Sequence, residues 1–505
     1  MPQNDVAPRP VVEYGGRRLL IVAGVMMAAL LQTLDATIVN VALPTIEGNI
    51  GASIDEGTWI ITGYIISNVV AIPLAPFLLV RMGRRQYFAA CIIGFTAASL
   101  LCGTATTLGA LVAYRVVQGA FGGGLIATSQ IILRSTFPPE RVGTSAALFA
   151  VALTLGPALG PTLGGILTDA FSWQWVFDIN VVPGVLSAAI VLAFLKNPTD
   201  PKKLRFDALG VALLAVALGS LQYVLDEGER HDWFSDPAIV AFSTLFVAGL
   251  AAFVTWELRT PSPIVDLRIF RYHVVRLGTL TALALGIVIF GPIVMLPQYV
   301  QDVLGFTATL SGMLVLMRAL PVLAVTPLVA RLAARTDVRI LLATGFALSA
   351  ISFAELGLRM TTSSGFGTLA GWLAISGIGQ SMLLVPLLVG VLGAVAPADS
   401  PKVSSFISLS VQLGGSIASA VLVTILDRRE YFHAEIYRGA ARLTNPHVPA
   451  LLALPHGLER LAQLVAQEAL NAGFADAIFA LVPIAGAGVI VSAFLLARRT
   501  AAARY

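Results

Sequence analysis

Apolar stretches long enough to cross a bilayer recur along almost the whole chain, and no other feature limits its fold so strongly. They lie at about 19–43, 57–80, 86–105, 108–133, 142–167, 175–195, 207–225, 237–256, 276–297, 309–332, 339–358, 366–392, 403–426 and 474–497. A helix rising about 1.5 Å per residue needs roughly 20 residues to span a hydrocarbon core of about 30 Å. Each segment must satisfy its own backbone in lipid, and these runs are too long and too rich in Ala and Leu for tilted barrel strands. Of the 505 residues 12% are charged, against roughly a quarter in an average soluble domain, which excludes an ordinary soluble enzyme. The spread from Leu19 to Leu496 also excludes a lone hydrophobic tail, a collagen, a coiled coil or a disordered chain. The expected fold class is an all-α membrane protein with 14 transmembrane helices.

Alternate connections differ sharply in charge. The set containing the N-terminus holds 23 Lys and Arg, among them Arg17, Arg18, Arg81, Arg84 and Arg85, and the opposite set holds 7. Positive charge stays on the cytoplasmic side, so both termini are expected there, and the net charge of +4 needs no nucleic-acid partner. Met1 to Gly16 is polar and no small-residue cleavage site follows Leu19, so the first run reads as a retained span. Cys91 and Cys102 lie eleven residues apart in one run. A helical rise of about 16 Å between them excludes a bridge and makes them packing residues.

The pattern divides into a cytoplasmic N-terminus (1–18), a six-helix bundle (19–195), a linker with an inserted helix pair (196–275), a second six-helix bundle (276–497) and a cytoplasmic tail (498–505). A faint internal echo supports two repeats: Pro76 to Arg81 runs into Arg84 and Arg85, and Pro327 to Arg331 runs into Arg335 and Arg339, each after the second span of its block. The one long connection, 427–473, falls outside. Within it His456 to Leu470 sets Leu458, Leu461 and Val465 on one face, apart from Glu459, Arg460, Gln463 and Gln467, as in a short amphipathic helix. Such a helix either rests on the membrane surface or docks an extracytoplasmic partner.

Ionisable groups inside spans cost several kcal/mol unless paired or hydrated, so they are the strongest functional signal. Asp35 lies about 12 Å below the expected outer end of span 1, and Arg115 about 10 Å below that of span 4. At matching depth they can pair, and protonating Asp35 would break the pair, as a proton-coupling device requires; a static structural pair is the plainer reading. Gln32, Tyr64, Asn68 and Gln118 form polar stripes that either line one wet cavity or make interhelical hydrogen bonds. Arg318 sits mid-depth in span 10 with no acid at its level and is a further cavity candidate, whereas Glu355 can snorkel to the interface. Span 5 carries Gly156-Pro157-Ala158-Leu159-Gly160-Pro161-Thr162-Leu163-Gly164-Gly165. Its glycines at four-residue spacing suit very close helix contact, and with two prolines a hinge or seal between rocking halves. The five histidines lie in connections without metal-ligand spacing, and no phosphate-binding loop is present. Neither an enzyme site, a metal nor a cofactor is expected.

Several stretches together resemble a known family. Leu34-Asp35-Ala36-Thr37-Ile38-Val39-Asn40-Val41-Ala42-Leu43-Pro44, Arg115-Val116-Val117-Gln118-Gly119 and Gly156 to Gly165 resemble motifs of the major facilitator superfamily drug:proton antiporters of the fourteen-span EmrB/QacA type. Trp173 to Phe177, Pro263 to Leu267 and Leu296 to Tyr299 are similar to further landmarks, and the long outer loop brings the chain nearest to EmrB-like permeases. The resemblance covers nearly the whole chain. It implies a major facilitator fold in a 6 + 2 + 6 arrangement and a bacterial inner-membrane multidrug efflux permease driven by the proton-motive force. It also implies Asp35 and Arg115 in proton coupling, gating by Gly83, Arg84 and Arg85, and partnership with a periplasmic adaptor and an outer-membrane channel. Two departures stand out: Val80 replaces the usual Asp of the loop between spans 2 and 3, and span 13 has Gln412 where some cation exporters carry acids. The latter favours neutral, anionic or weakly acidic lipophilic substrates. A dedicated exporter of one metabolite or siderophore, and a receptor or scaffold on a transporter fold, are the alternative readings.

Overall fold

A computed structural model describes residues 13–138, 141–197, 206–440, 452–453 and 456–495. Residues 1–12 of the expected cytoplasmic N-terminus, the whole of the expected tail (498–505), and His447 with most of the outer loop's middle lie outside these residues. Fourteen helices are long and apolar enough to cross a membrane: α1 (Gly15–Ile50), α2 (Trp59–Met82), α3 (Arg84–Gly103), α4 (Leu108–Thr136), α5 (Gly143–Ala170), α6 (Trp175–Phe194), α7 (Ala208–Glu227), α8 (Pro237–Arg259), α9 (His273–Val303), α10 (Leu310–Ala333), α11 (Val338–Arg359), α12 (Phe366–Gly393), α13 (Ser400–Ala440) and α14 (Gly457–Phe494). The described residues contain no strand.

The same helix pairs recur in both blocks. In the first, α1 packs on α5 and α6, α2 on α4, and α3 on α4 and α6; in the second, α9 packs on α13 and α14, α10 on α12, and α11 on α12 and α14. Glycine permits the closest of these contacts. A Cβ at Gly156 or Gly160 would run into Thr33 or Thr37 of α1, and one at Gly164 would stand 2.6 Å from the Ile38 carbonyl oxygen. The glycine face of α5 therefore locks α1 and α5 together inside one block; it does not form the seam between halves that its spacing suggested. Gly165 faces open space but for Val41 at 3.9 Å, and the helix passes Pro157 and Pro161 unbroken.

The seam uses the other side of α5. Ala158 packs with Val315 and Ala319 of α10, and Gly312 is pressed against Thr162. Polar bonds across the seam gather at the end bearing the chain termini: Arg134 donates to the Leu392 carbonyl at 3.1 Å, Ser408 to Gln130 Oε1 at 2.9 Å, and Ser405 to the Ile72 carbonyl at 2.7 Å. Between α8 and α9 a 3-10 turn, Leu267–Arg271, begins at Asp266. Asp266 binds Lys402 of α13 at 2.8 Å. Burial works against its charge, but the Lys402 ammonium and the Arg268 N–H hold its carboxyl below the usual range.

Helix ends differ from expectation in three places. α1 runs past Pro44 to Ile50 and stops where Gly51 takes a left-handed φ of 72°. α13 and α14 extend outward through most of the expected outer loop. The amphipathic stretch is the first part of α14 and not a separate surface helix, because the tail of α13 pairs with this helix: a Cβ added at Gly473 would stand 3.1 Å from the Leu426 carbonyl oxygen, and Asp476 binds Arg429 and, at 2.9 Å, His433. Gln467 to the Val303 carbonyl at 3.0 Å and Glu468 to Thr362 at 2.8 Å tie it to the outer ends of α9 and α11.

Candidate functional site

Asp35, on α1, is fully buried, and so in effect is Arg115 of α4 at 1% exposure. Burial of this depth removes water from both charges, so each must find partners within the protein. Arg115 Nη1 reaches Asp35 Oδ2 at 2.6 Å and Gln118 Oε1 at 2.8 Å, while its Nε donates to the Ile60 carbonyl of α2 at 3.1 Å. The guanidinium lies 3.9 Å from the centroid of the Tyr64 ring, close enough for a strong desolvated cation–π contact. Asp35 Oδ1 accepts Gln118 Nε2 and Asn180 Nδ2, both at 2.9 Å. Four helices, α1, α2, α4 and α6, thus converge on one carboxylate and one guanidinium.

Asn180 went unnoticed in the sequence. It stands five residues into α6, just past the Trp173 to Phe177 landmark, and it also donates to Ser99 of α3 at 3.0 Å. The landmark itself is support: Trp173 packs edge-on against Phe177, and the Phe177 carbonyl accepts Ser99 Oγ at 2.9 Å. A polar side chain directly after a buried aromatic run was the available signal.

Gln32, Tyr64 and Asn68 form a second, adjoining cluster. Tyr64 Oη donates weakly to the Gln32 carbonyl at 3.5 Å, and Asn68 Nδ2 to the Gly119 carbonyl at 3.4 Å. All three are buried, and they close around Gly122, whose Cα hydrogen faces Asn68 and Tyr64. Gln32 Oε1 and Asn68 Oδ1 are buried with no donor among the described residues, so the cluster retains two acceptors that a proton donor can use.

Arg318 is not brought to this site; it belongs to the second block. Its Nη1 and Nη2 donate to the Ile289 and Val288 carbonyls at 2.8 and 2.9 Å, and its Nε to Ser376 at 3.3 Å. Residue 292, whose N–H a regular helix would direct to Val288, is a proline. Arg318 therefore answers a carbonyl that Pro292 leaves free. Glu355 pairs with Arg359 at 2.7 Å at the exposed end of α11.

Gly83, Arg84 and Arg85 stand at the turn between α2 and α3. Gly83 takes a φ of 85°, a conformation that a side chain disfavours. Arg84 donates to the Lys196 carbonyl at 2.7 Å and to Ser135 at 2.6 Å, and the Arg85 N–H to Asn197 at 2.8 Å. These bonds tie the turn to the ends of α4 and α6 inside the first block, while Val80 is left half-exposed.

A buried carboxylate held by three N–H donors from two neighbouring helices can act as a reversible latch. A proton added to Asp35 cancels its attraction for Arg115 and puts an O–H where N–H groups already point.

Known proteins share this frame. The sequence pattern of the Major Facilitator Superfamily matches residues 25–419. The multidrug export protein EmrB of Escherichia coli (strain K12) is 33% identical over 464 residues, 91% of each chain. The fatty acid resistance protein FarB of Neisseria gonorrhoeae is 34% identical over 421 residues, 81% of this chain and 80% of that one. A solved structure of the proton:xylose symporter XylE superposes with a TM-score of 0.60 at 13% identity, covering 95% of both chains, and so shares the fold. By the family pattern and by the relatives at a third identity over most of its length, the chain is a multi-pass membrane protein of the Major Facilitator Superfamily, among its EmrB-like permeases.

Proposed function

We propose that the protein is a multidrug efflux permease of the bacterial inner membrane, exchanging inward proton flow for outward movement of lipophilic compounds by alternating access between its two six-helix blocks. The observation that carries this reading is the Asp35–Arg115 pair at 2.6 Å, fully buried and cross-braced by Gln118 and Asn180. The donors satisfy the buried carboxylate while it is charged, as any buried pair requires, and its place inside a span makes a functional, titrating role the natural reading of so costly a charge. Multidrug export is named for the EmrB relatives, and positive charge concentrated in the connections on the terminal side supports cytoplasmic termini. Arg318, a buried cation without an acid among its partners, supports neutral or weakly acidic substrates over dications. FarB, named for fatty acid resistance, accords with that preference.

The outward extensions of α13 and α14 support a partnership with a periplasmic adaptor and, through it, an outer-membrane channel. They carry exposed Tyr431, Phe432, Ile436, Leu458 and Leu464, apolar side chains on a polar projection. The deciding experiment is transport in proteoliposomes bearing an imposed proton gradient, assayed on a panel of chemically diverse compounds. Gradient-dependent, uncoupler-sensitive movement of several classes is expected. Movement of one compound alone would establish a dedicated exporter, and binding without flux a receptor.

A further inference from the structure

The inserted pair α7 and α8 frames an open groove apart from the Asp35–Arg115 site. Its volume is about 730 Å³, within the roughly 300–1,000 Å³ of sites that hold small molecules. Leu209, Leu213, Ala251 and Ala252 line it, and Trp256 and Arg259 stand at its mouth, at the end of the molecule bearing the chain termini. α8 buries only Ile239, Gly249, Phe253 and Glu257, and the remainder of the helix is exposed or half-buried.

The polar groups around the mouth are unequally engaged. Asp207 is occupied on both oxygens, by the Gly210 N–H at 2.9 Å and by Trp256 Nε1 at 2.7 Å, and the second bond fixes the indole beside the mouth. Glu257 is buried beneath and accepts the Val265 N–H at 3.4 Å. Arg259 makes no hydrogen bond or ion pair among the described residues and is exposed. Its guanidinium is the donor left for a ligand. The sequence adds Lys202, Lys203 and Arg205 just before α7 and Arg268 and Arg271 just after α8, and basic clusters flanking spans attract anionic lipid.

We propose that this groove is a binding site for an anionic phospholipid of the leaflet on the side of the chain termini. One acyl chain lies along Leu209 and Leu213, the phosphate sits on Arg259, and the Trp256 indole stands at headgroup depth, where amphipathic rings partition. Bilayer lipid would wet any such groove, so the content of the proposal is selectivity: a fork of N–H donors prefers an anionic headgroup to a zwitterionic one.

The test uses the delipidated full-length protein, titrated with phosphatidylglycerol, phosphatidylethanolamine and phosphatidylcholine of identical acyl chains and read by native mass spectrometry. Retention of phosphatidylglycerol at least fivefold above phosphatidylcholine is expected, and Arg259→Gln should remove the preference. Equal retention of the three lipids, or a preference untouched by Arg259→Gln, overturns the proposal. A second readout places the lipid: in nanodiscs, the Trp256 contribution to fluorescence, taken as the difference from Trp256→Phe, should be quenched more by brominated phosphatidylglycerol than by brominated phosphatidylcholine. Equal quenching also overturns it.

Discussion

Asp35 carries three donors on two oxygens, and each substitution around it has a distinct consequence. Asp35→Asn keeps the shape but cannot titrate, so uphill export in proteoliposomes should vanish while downhill exchange persists; wild-type accumulation against a gradient would refute the coupling role. It also leaves Arg115 a buried cation without a counter-charge, which in general costs about 3–5 kcal/mol, so a lower melting temperature should accompany the loss. Asn180→Ala removes one hydrogen bond to a charged acceptor, an effect of about 1.5–3 kcal/mol. Because it strips a donor from the ionised form, the pH at which export is half-maximal should move upward, a shift readable from the pH profile of flux. An unchanged profile would make Asn180 mere packing. Asp35 and Arg115 were legible in the sequence because charge in lipid is costly and the depths matched, whereas Gln118 was legible only as part of a polar stripe. Asn180 was not, since an amide near the end of a span costs little and looks like any interhelical hydrogen bond. Gln32, Tyr64 and Asn68 were legible as polar, but their closure around Gly122 depends on the α2–α4 approach that only coordinates reveal.

Hydropathy located every spanning helix, yet it could not place the ends of α13 and α14, whose outer portions are polar and become helical by pairing with each other. It was equally silent on where prolines send their orphaned carbonyls. Pro76 withdraws the N–H that Ile72 would receive in a regular helix; the Ala75 N–H takes its place through a 3-10 turn, and Ser405 of the opposite block adds a second bond to that carbonyl. Pro292 does the same for Val288, which Arg318 answers within its own block. The glycine run of α5 was legible as a close-contact face, but a single helix cannot show which neighbour it meets. Since that neighbour is α1, Gly160→Leu should act on folding: overpacking of about 1–3 kcal/mol or more should lower yield and melting temperature together. Gly312→Leu, on the seam with α5, should spare the melting temperature but slow turnover at least tenfold. The reverse pattern in paired stability and flux measurements would reassign the two faces.

Two blocks built from the same helix pairs, joined by the packing of α5 on α10 and by polar bonds gathered at one end, form a body that can rock. The external hairpin is rooted in that body through α13. If it docks an adaptor, shortening it between Glu435 and Gln467 should leave flux in proteoliposomes intact yet abolish resistance in whole cells; equal losses in both assays would mark it as a stabilising element only. α13 has 41 residues, about 61 Å end to end. One end is bonded across the seam by Ser405 and Ser408, and the other reaches Ala440, eleven residues beyond the Arg429 that binds Asp476 of α14. A rod of that length is a lever: turning it by about 10° about its midpoint sweeps its far tip through about 5 Å. If the two blocks rock, displacements at the seam would reach that tip as mechanical strokes, and a protein gripping it would feel each cycle as a tug.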